Sequence, residues 1–367
     1  MISRQPLAFL ISRSVIGVAT GGRATTILYT SEVARKNRRG TYVAFYGVLA
    51  VLGILLTYLT QYFLNIYGVG IITLIVSIFG CAGVMVLPES KYWYIINNRR
   101  ERAKQSASWF DPSLTNDEIE KEFNKITEEI DNSKAIGGVI ACLKQPHHFK
   151  QFVLATLLFI FRTGCGREPL AVYPTNFFSR LNLVYDPQIM AILQGCVDFF
   201  VSVLCTLVVD SFKRRTLLIA NSSVCTISLV MIMIMQFFND FVNKTVPWLP
   251  LIFIFGYTAS VIAFLFPMVS LISCEVVSAS NKHRNTIFNL SWLVNNIIRG
   301  IYTALFPTMI NAFHVDVTLG VFLVSNILLM FLIKFWLVET SNKALHECVA
   351  EEKKPADLEM VTEVQLN

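Results

Sequence analysis

Five charged side chains stand where so apolar a chain has least room for them: Arg162, Arg167, Glu168, Asp198 and Arg299 all fall inside long apolar stretches. A charge in the hydrocarbon region is costly unless it is paired or faces water. Two uses fit such residues. They can line a cavity suited to a polar or ionic solute, or they can pair with one another, Arg162 with Asp198 for instance, and hold helices together. Gly164, Gly166, Pro169 and Pro174 interrupt the stretch that carries Arg162, so its backbone can unwind and border a cavity. Covalent chemistry has no comparable set of residues. The eight cysteines are scattered without a Cys-x-x-Cys pair, and His147 and His148 sit beside Pro146 without metal-ligand spacing to a partner. No nucleophile has a neighbouring base. The sequence therefore predicts no enzyme activity, no metal site and no cofactor.

The elements that must carry these charges are membrane-spanning helices. Apolar residues make up 54% of the chain and charged residues 15%, the reverse of what a soluble protein of this length needs. A spanning helix takes ~20 mostly apolar residues, because 1.5 Å of rise per residue must cover ~30 Å of hydrocarbon. Nine stretches qualify, at 7–29, 42–64, 69–87, 152–178, 188–209, 216–238, 248–273, 286–310 and 317–338. Arg13 and Arg23 interrupt the first. The predicted fold is all-α, a polytopic membrane helix bundle in contact with the lipid bilayer.

The net charge of +6 does not point to nucleic acid, because Lys and Arg sort by loop. Arg35, Lys36, Arg38 and Arg39 follow the first stretch; Lys213, Arg214 and Arg215 follow the fifth, Lys282 and Arg284 the seventh. The long loop after the third stretch, Lys91 through Lys150, and the tail from Lys343 onward also carry Lys or Arg, while the intervening loops hold only Arg180 and Lys244. Basic loops stay cytoplasmic, which puts the C-terminus in the cytosol and the glycosylation sequon at Asn243 outside. Within the long loop Thr115 and Glu118 have capping-box spacing, and Ile119, Phe123, Ile126 and Ile130 form one apolar stripe. A small cytoplasmic helix is expected there. The tail after Cys348 reads as disordered.

An internal repeat is visible in the helix ends. Glu32 and Glu275 close two stretches 243 positions apart, and Glu89 and Glu339 close two others 250 apart. Near-equal offsets suggest a duplicated unit. Within the second unit three stretches precede the Glu275 helix, and within the first none precedes the Glu32 helix, so three further helices are expected upstream in a six-plus-six protein. Their absence would leave the faces near Gly47 and Gly53 open to lipid.

These signals together resemble the sugar porters of the major facilitator superfamily, the facilitated glucose and trehalose transporters among them. The resemblance rests on Arg13 and Gly17 in the first stretch, Glu32 with Arg39-Gly40 after it, Pro88-Glu89-Ser90 with Trp93, Asp210 ahead of Lys213-Arg214-Arg215, and Val338-Glu339-Thr340. It implies a 6+6 architecture, here reduced to about nine helices: 1–87 a remnant of the N-terminal half (helices 4–6), 88–151 a cytoplasmic linker, 152–340 the C-terminal half (helices 7–12) and 341–367 a tail. It also implies a cytoplasmic gate in which Glu32, Arg39, Glu89, Asp210, Arg214, Arg215, Glu275, Arg284 and Glu339 pair when the inner side is shut.

Family members grip sugar hydroxyls with a Gln-Gln-x-Ser-Gly-Ile-Asn run in the seventh helix. Here Arg162, Thr163, Cys165 and Glu168 occupy the Gln, Gln, Ser and Asn places, and Ser270 stands where a stacking Trp is usual. Gln194, Trp292 and Asn295 remain at places the family uses, so the expected solute site is Arg162, Thr163, Glu168, Gln194, Trp292 and Asn295. The function implied is movement of a small polar, sugar-like solute by alternating access in a multi-pass protein of the cell membrane. The rival is a membrane solute sensor or degenerate paralogue that binds without transporting.

Overall fold

The computed structural model describes residues 6–34, 39–113, 115–134, 143–144, 146–181, 183–209, 211–276, 281–313 and 315–336, and no strand occurs among them. The first apolar stretch is two helices, α1 (Pro6–Gly21) and α2 (Arg23–Val33), joined at Gly22. Then come α3 (Arg39–Phe63) and α4 (Ile66–Val86). Three polar helices follow, α5 (Lys91–Ile96), α6 (Arg100–Phe110) and α7 (Asn116–Lys134). The fourth stretch is broken into α8 (Pro146–Gly164), α9 (Arg167–Val172) and α10 (Pro174–Arg180). Beyond it lie α11 (Pro187–Val208), α12 (Arg214–Phe237), the short α13 (Asn239–Thr245) and α14 (Leu249–Ala259). A π turn, Ser260–Leu265, joins α14 to α15 (Phe266–Val276), and α16 (Asn281–Ala312) and α17 (Val315–Trp336) complete the described chain.

Six spans among the described residues are both long and apolar enough to cross a membrane: α3, α4, α11, α12, the α14–α15 unit and α17. The other three stretches depart from a plain apolar rod for visible reasons. Gly22 divides the first, glycine and proline break the fourth, and α16 carries Asn295, Asn296 and Arg299 along its length.

The π turn has a local cause in Pro267, whose ring lacks an N–H and crowds the carbonyl one turn back; a wider turn relieves the clash. Asn221 Nδ2 of α12 donates to the Ser260 carbonyl at 3.1 Å, so the irregular backbone stays satisfied. One core unites α8, α11, α12, α14, α15, α16 and α17 around Leu158, Leu229, Tyr257, Val269, Phe288 and Phe322. α3 joins it by close approach. A Cβ on Gly47 would lie 3.3 Å from the Pro267 side chain, and one on Gly195 would lie 3.1 Å from Leu55 and 3.2 Å from Tyr58. The expectation that Gly47 opens to lipid is thus corrected: it is where α3 meets α15. Gly53 does have open space beside it. Among the described residues α4 packs chiefly on α3 and exposes Leu74, Val76, Phe79 and Met85, an apolar surface suited to lipid.

The polar helices form a small core of their own from Ala103, Ala107, Ile119 and Phe123. The capping box is formed: Thr115 N and Oγ1 donate to one Glu118 carboxylate oxygen at 2.9 and 2.8 Å. The backbone hydrogen bond from Thr115, and then its hydroxyl, hold the Glu118 carboxyl below the usual value. Ile126 is buried with the stripe, whereas the Ile130 side chain lies outside the description. Lys91 pairs with Glu122 at 2.8 Å, and Arg100 and Lys104 share Glu120.

Candidate functional site

The site is built on a helix that stops and restarts. Gly164 ends α8 and Gly166, at φ +85°, turns the chain in the left-handed region before α9 begins at Arg167. A Cβ on Gly166 would also stand 2.7 Å from the Phe322 ring and from the Tyr257 hydroxyl, so only glycine fits. Pro169 cannot donate to the carbonyl four residues back, that of Cys165. Tyr257 Oη supplies the missing donor at 2.7 Å. Tyr302 Oη donates to the Gly164 carbonyl at 3.3 Å, and Tyr58 Oη of α3 to the Ala171 carbonyl at 2.9 Å. Three tyrosines from three helices thus replace backbone bonds that the break removed.

The break aims Arg162 inward. Its side chain is 1% exposed and is the largest fully buried one described. Nη1 donates to Ser270 Oγ at 2.9 Å and the Phe266 carbonyl at 3.4 Å. Aromatic rings enclose the rest, with Phe266, Phe159 and Trp292 centroids 4.8, 5.0 and 5.8 Å from the guanidinium carbon. The ion pair with Asp198 that the sequence offered is not formed. Asp198 instead accepts from Gln194 Nε2 at 3.3 Å, one turn away on α11. Arg167 also stacks on Phe266, its guanidinium carbon 3.8 Å from the ring centroid, and pairs with Glu168. Glu168 also faces Arg299 at 3.6 Å. Thr163 Oγ1 donates to Asn295 Oδ1 at 2.8 Å.

Of the six solute-site residues expected, the structure joins Arg162 with Trp292 and Thr163 with Asn295, and seats Glu168 between Arg167 and Arg299. Gln194 is joined instead to Asp198, which lies in electrostatic range of Arg167. All but the half-buried Glu168 are buried, and several polar atoms have no protein hydrogen-bond partner: Nε of Arg162 and Arg167, Oε1 of Gln194, Oδ1 of Asp198, Nε1 of Trp292 and Nδ2 of Asn295. Donors and acceptors left in this state inside an apolar bundle are costly unless something polar meets them.

Residues 2–351 match the sugar (and other) transporter family. The chain belongs to that family. It is a multi-pass α-helical membrane transporter and not an enzyme. The glucose transporter GlcP of Staphylococcus epidermidis is 26% identical over 358 residues, covering 92% of this chain and 75% of the relative. The facilitated trehalose transporter Tret1 of Polypedilum vanderplanki is 22% identical over 92% of this chain and 67% of its own length. Among solved structures, the proton:xylose symporter XylE bound to 6-bromo-6-deoxy-D-glucose superposes with a TM-score of 0.72 at 19% identity, over 89% of this chain and 70% of that one. That likeness gives the fold.

The transporter's expected gate is described only in part. Asp210 and Glu339 lie outside the described residues, as do the side chains of Arg39, Glu275 and Arg284. Glu32 accepts from Ser90 Oγ at 2.8 Å, and the same hydroxyl caps α5 by accepting from Trp93 N, so the Pro-Glu-Ser segment ties α2 to α5. Glu89 has an exposed carboxylate and a backbone carbonyl that accepts from Ser106. Arg214 is buried, and Arg215 donates to the Lys334 carbonyl at the end of α17. Asn243 is half-buried within α13. Sequence reasoning missed Tyr58, Tyr257, Tyr302 and Phe159. Only Ser270 carried a signal, as the residue standing in the place of the family's Trp.

Proposed function

We propose that this transporter moves a hydroxylated solute of the sugar class by alternating access, with α8, α9, α11 and α16 forming the solute site. The observation that carries this reading is the set of buried polar atoms on Arg162, Gln194, Asp198, Trp292 and Asn295 that lack a protein partner, together with the broken helix. Amide, indole and guanidinium groups are what ring hydroxyls bind, since each hydroxyl both donates and accepts. Glucose and trehalose, for which the relatives are named, belong to the same class. The aromatic wall of Phe159, Phe266 and Trp292 adds the apolar faces that a pyranose ring packs on.

The test is thermal protection of the purified protein by a panel of neutral hexoses, trehalose and hexuronates. At least one member should raise the unfolding temperature, and Asn295→Leu should weaken its binding by about tenfold, the worth of one good hydrogen bond. A panel in which nothing protects contradicts the reading. Protection without uptake would favour the solute sensor, a reading that the closure of Arg162 inside its aromatic wall makes worth testing.

For orientation in the membrane, we propose that the α5–α7 helices and the C-terminus face the cytosol, at the cell membrane, and that Asn243 faces outward. Their charge supports it: Lys91, Arg99, Arg100, Arg102 and Lys104 crowd that side. A protease site inserted at Asp131 should be cut only after sealed cells are permeabilised; cleavage from outside would reverse the orientation.

A further inference from the structure

Among the described residues, arginines outnumber carboxylates in the solute site. Three guanidinium groups, Arg162, Arg167 and Arg299, share the site with two carboxylates; Glu168 is within electrostatic range of all three, but neither carboxylate makes direct contact with Arg162. Glu168 pairs with Arg167 and Arg299; Asp198 takes its hydrogen bond from Gln194. Arg162 holds only neutral partners among the described residues, Ser270 Oγ, a backbone carbonyl and three aromatic rings. Its Nε and that of Arg167 have no partner at 1% and 3% exposure. The two guanidinium carbons stand 4.8 and 3.8 Å from the centroid of one Phe266 ring, so like charges are held close in a medium that screens them poorly. Where a neutral sugar needs amides, this site has one more arginine than carboxylates among the described residues.

We infer that the solute carries a carboxylate: the preferred substrate is an anionic sugar derivative whose carboxylate docks on Arg162 and Arg167 while its ring hydroxyls meet Gln194, Trp292 and Asn295. This rests on the solute-site reading above and names its substrate class. A carboxylate is the planar acceptor that a guanidinium fork matches, and it would give Arg162 the directly bonded anionic partner it lacks among the described residues. Ser270 belongs to the same device. A Trp there would fill the space into which Arg162 extends; the small hydroxyl instead orients the guanidinium.

D-glucose and D-glucuronate share one pyranose ring and differ in the C6 carboxylate, so the pair isolates the charge. Binding of each is measured on the purified full chain by thermal protection and by titration. D-glucuronate should bind at least about tenfold more tightly than D-glucose. Arg162→Lys, which keeps the charge but not the fork, should retain a reduced preference, and Arg162→Gln should abolish or invert it. If Arg162→Gln fails to fold, the wild-type ratio and Arg162→Lys still decide. Equal binding of the two, or tighter binding of D-glucose, overturns the anionic substrate and leaves the transporter reading in place. Failure of both sugars, and of every other sugar in the panel, overturns the solute site itself.

Discussion

A Gly166→Ala variant is expected to lose solute binding and about 2 to 5 kcal/mol of stability, and no second substitution should restore it. Two costs add. At φ +85° an alanine pays the left-handed penalty of about 1 to 2 kcal/mol. Its Cβ would also sit 2.7 Å from both the Phe322 ring and the Tyr257 hydroxyl, an overpacking cost of about 1 to 3 kcal/mol. Trimming Phe322 to leucine can relieve only the second. Because Tyr257 Oη holds the Cys165 carbonyl, pushing it aside also frees a buried acceptor in the broken helix. Thermal unfolding of the purified variant, with and without the Phe322→Leu change, checks this. A Gly166→Ala protein within 1 kcal/mol of wild type would mean that the turn at Gly166 is not what positions Arg162 and Arg167.

Gly164 makes the opposite prediction two residues earlier. Its backbone is helical, so an added methyl group carries no conformational penalty and gains helix propensity. The obstacle is one side chain on α17, with Ser325 Oγ and Cβ at 2.5 and 2.8 Å from the site of the new Cβ. Gly164→Ala should therefore cost about 1 to 3 kcal/mol and reduce binding by displacing α8 from α17. Ser325→Gly alone should cost about 1 kcal/mol as a glycine inside a helix. The double variant should be no less stable than Ser325→Gly alone, a strongly non-additive cycle. Additive losses would show that α8 and α17 do not meet at this point.

What could be seen in the sequence was whatever leaves a one-dimensional trace. Apolar length marked the spans, Thr115 and Glu118 marked the start of α7, and Gly164, Gly166, Pro169 and Pro174 marked the broken helix. Charge in an apolar setting singled out Arg162, Glu168 and Asp198. Partnership was not legible, because it depends on which helices become neighbours. Arg162 pairs with Ser270, 108 positions away, and with aromatic rings, where opposite charge had suggested Asp198. Tyr58, Tyr257 and Tyr302 gave no signal, since a tyrosine that completes a broken helix looks like any tyrosine in an apolar stretch. Gly47 read as a surface for further packing and turned out to be filled by Pro267 from α15.

The central claim, that this chain is a sugar-family transporter whose broken helix and buried arginines form its solute site, is tested most directly by counterflow. Purified protein in liposomes loaded with unlabelled solute should accumulate labelled solute of the best-binding panel member, saturably, and faster than in unloaded liposomes. That trans-acceleration is the mark of one site exposed alternately to the two sides. Gly166→Ala should abolish it. Uptake that rises linearly with concentration, is indifferent to internal solute and survives Gly166→Ala would contradict the account.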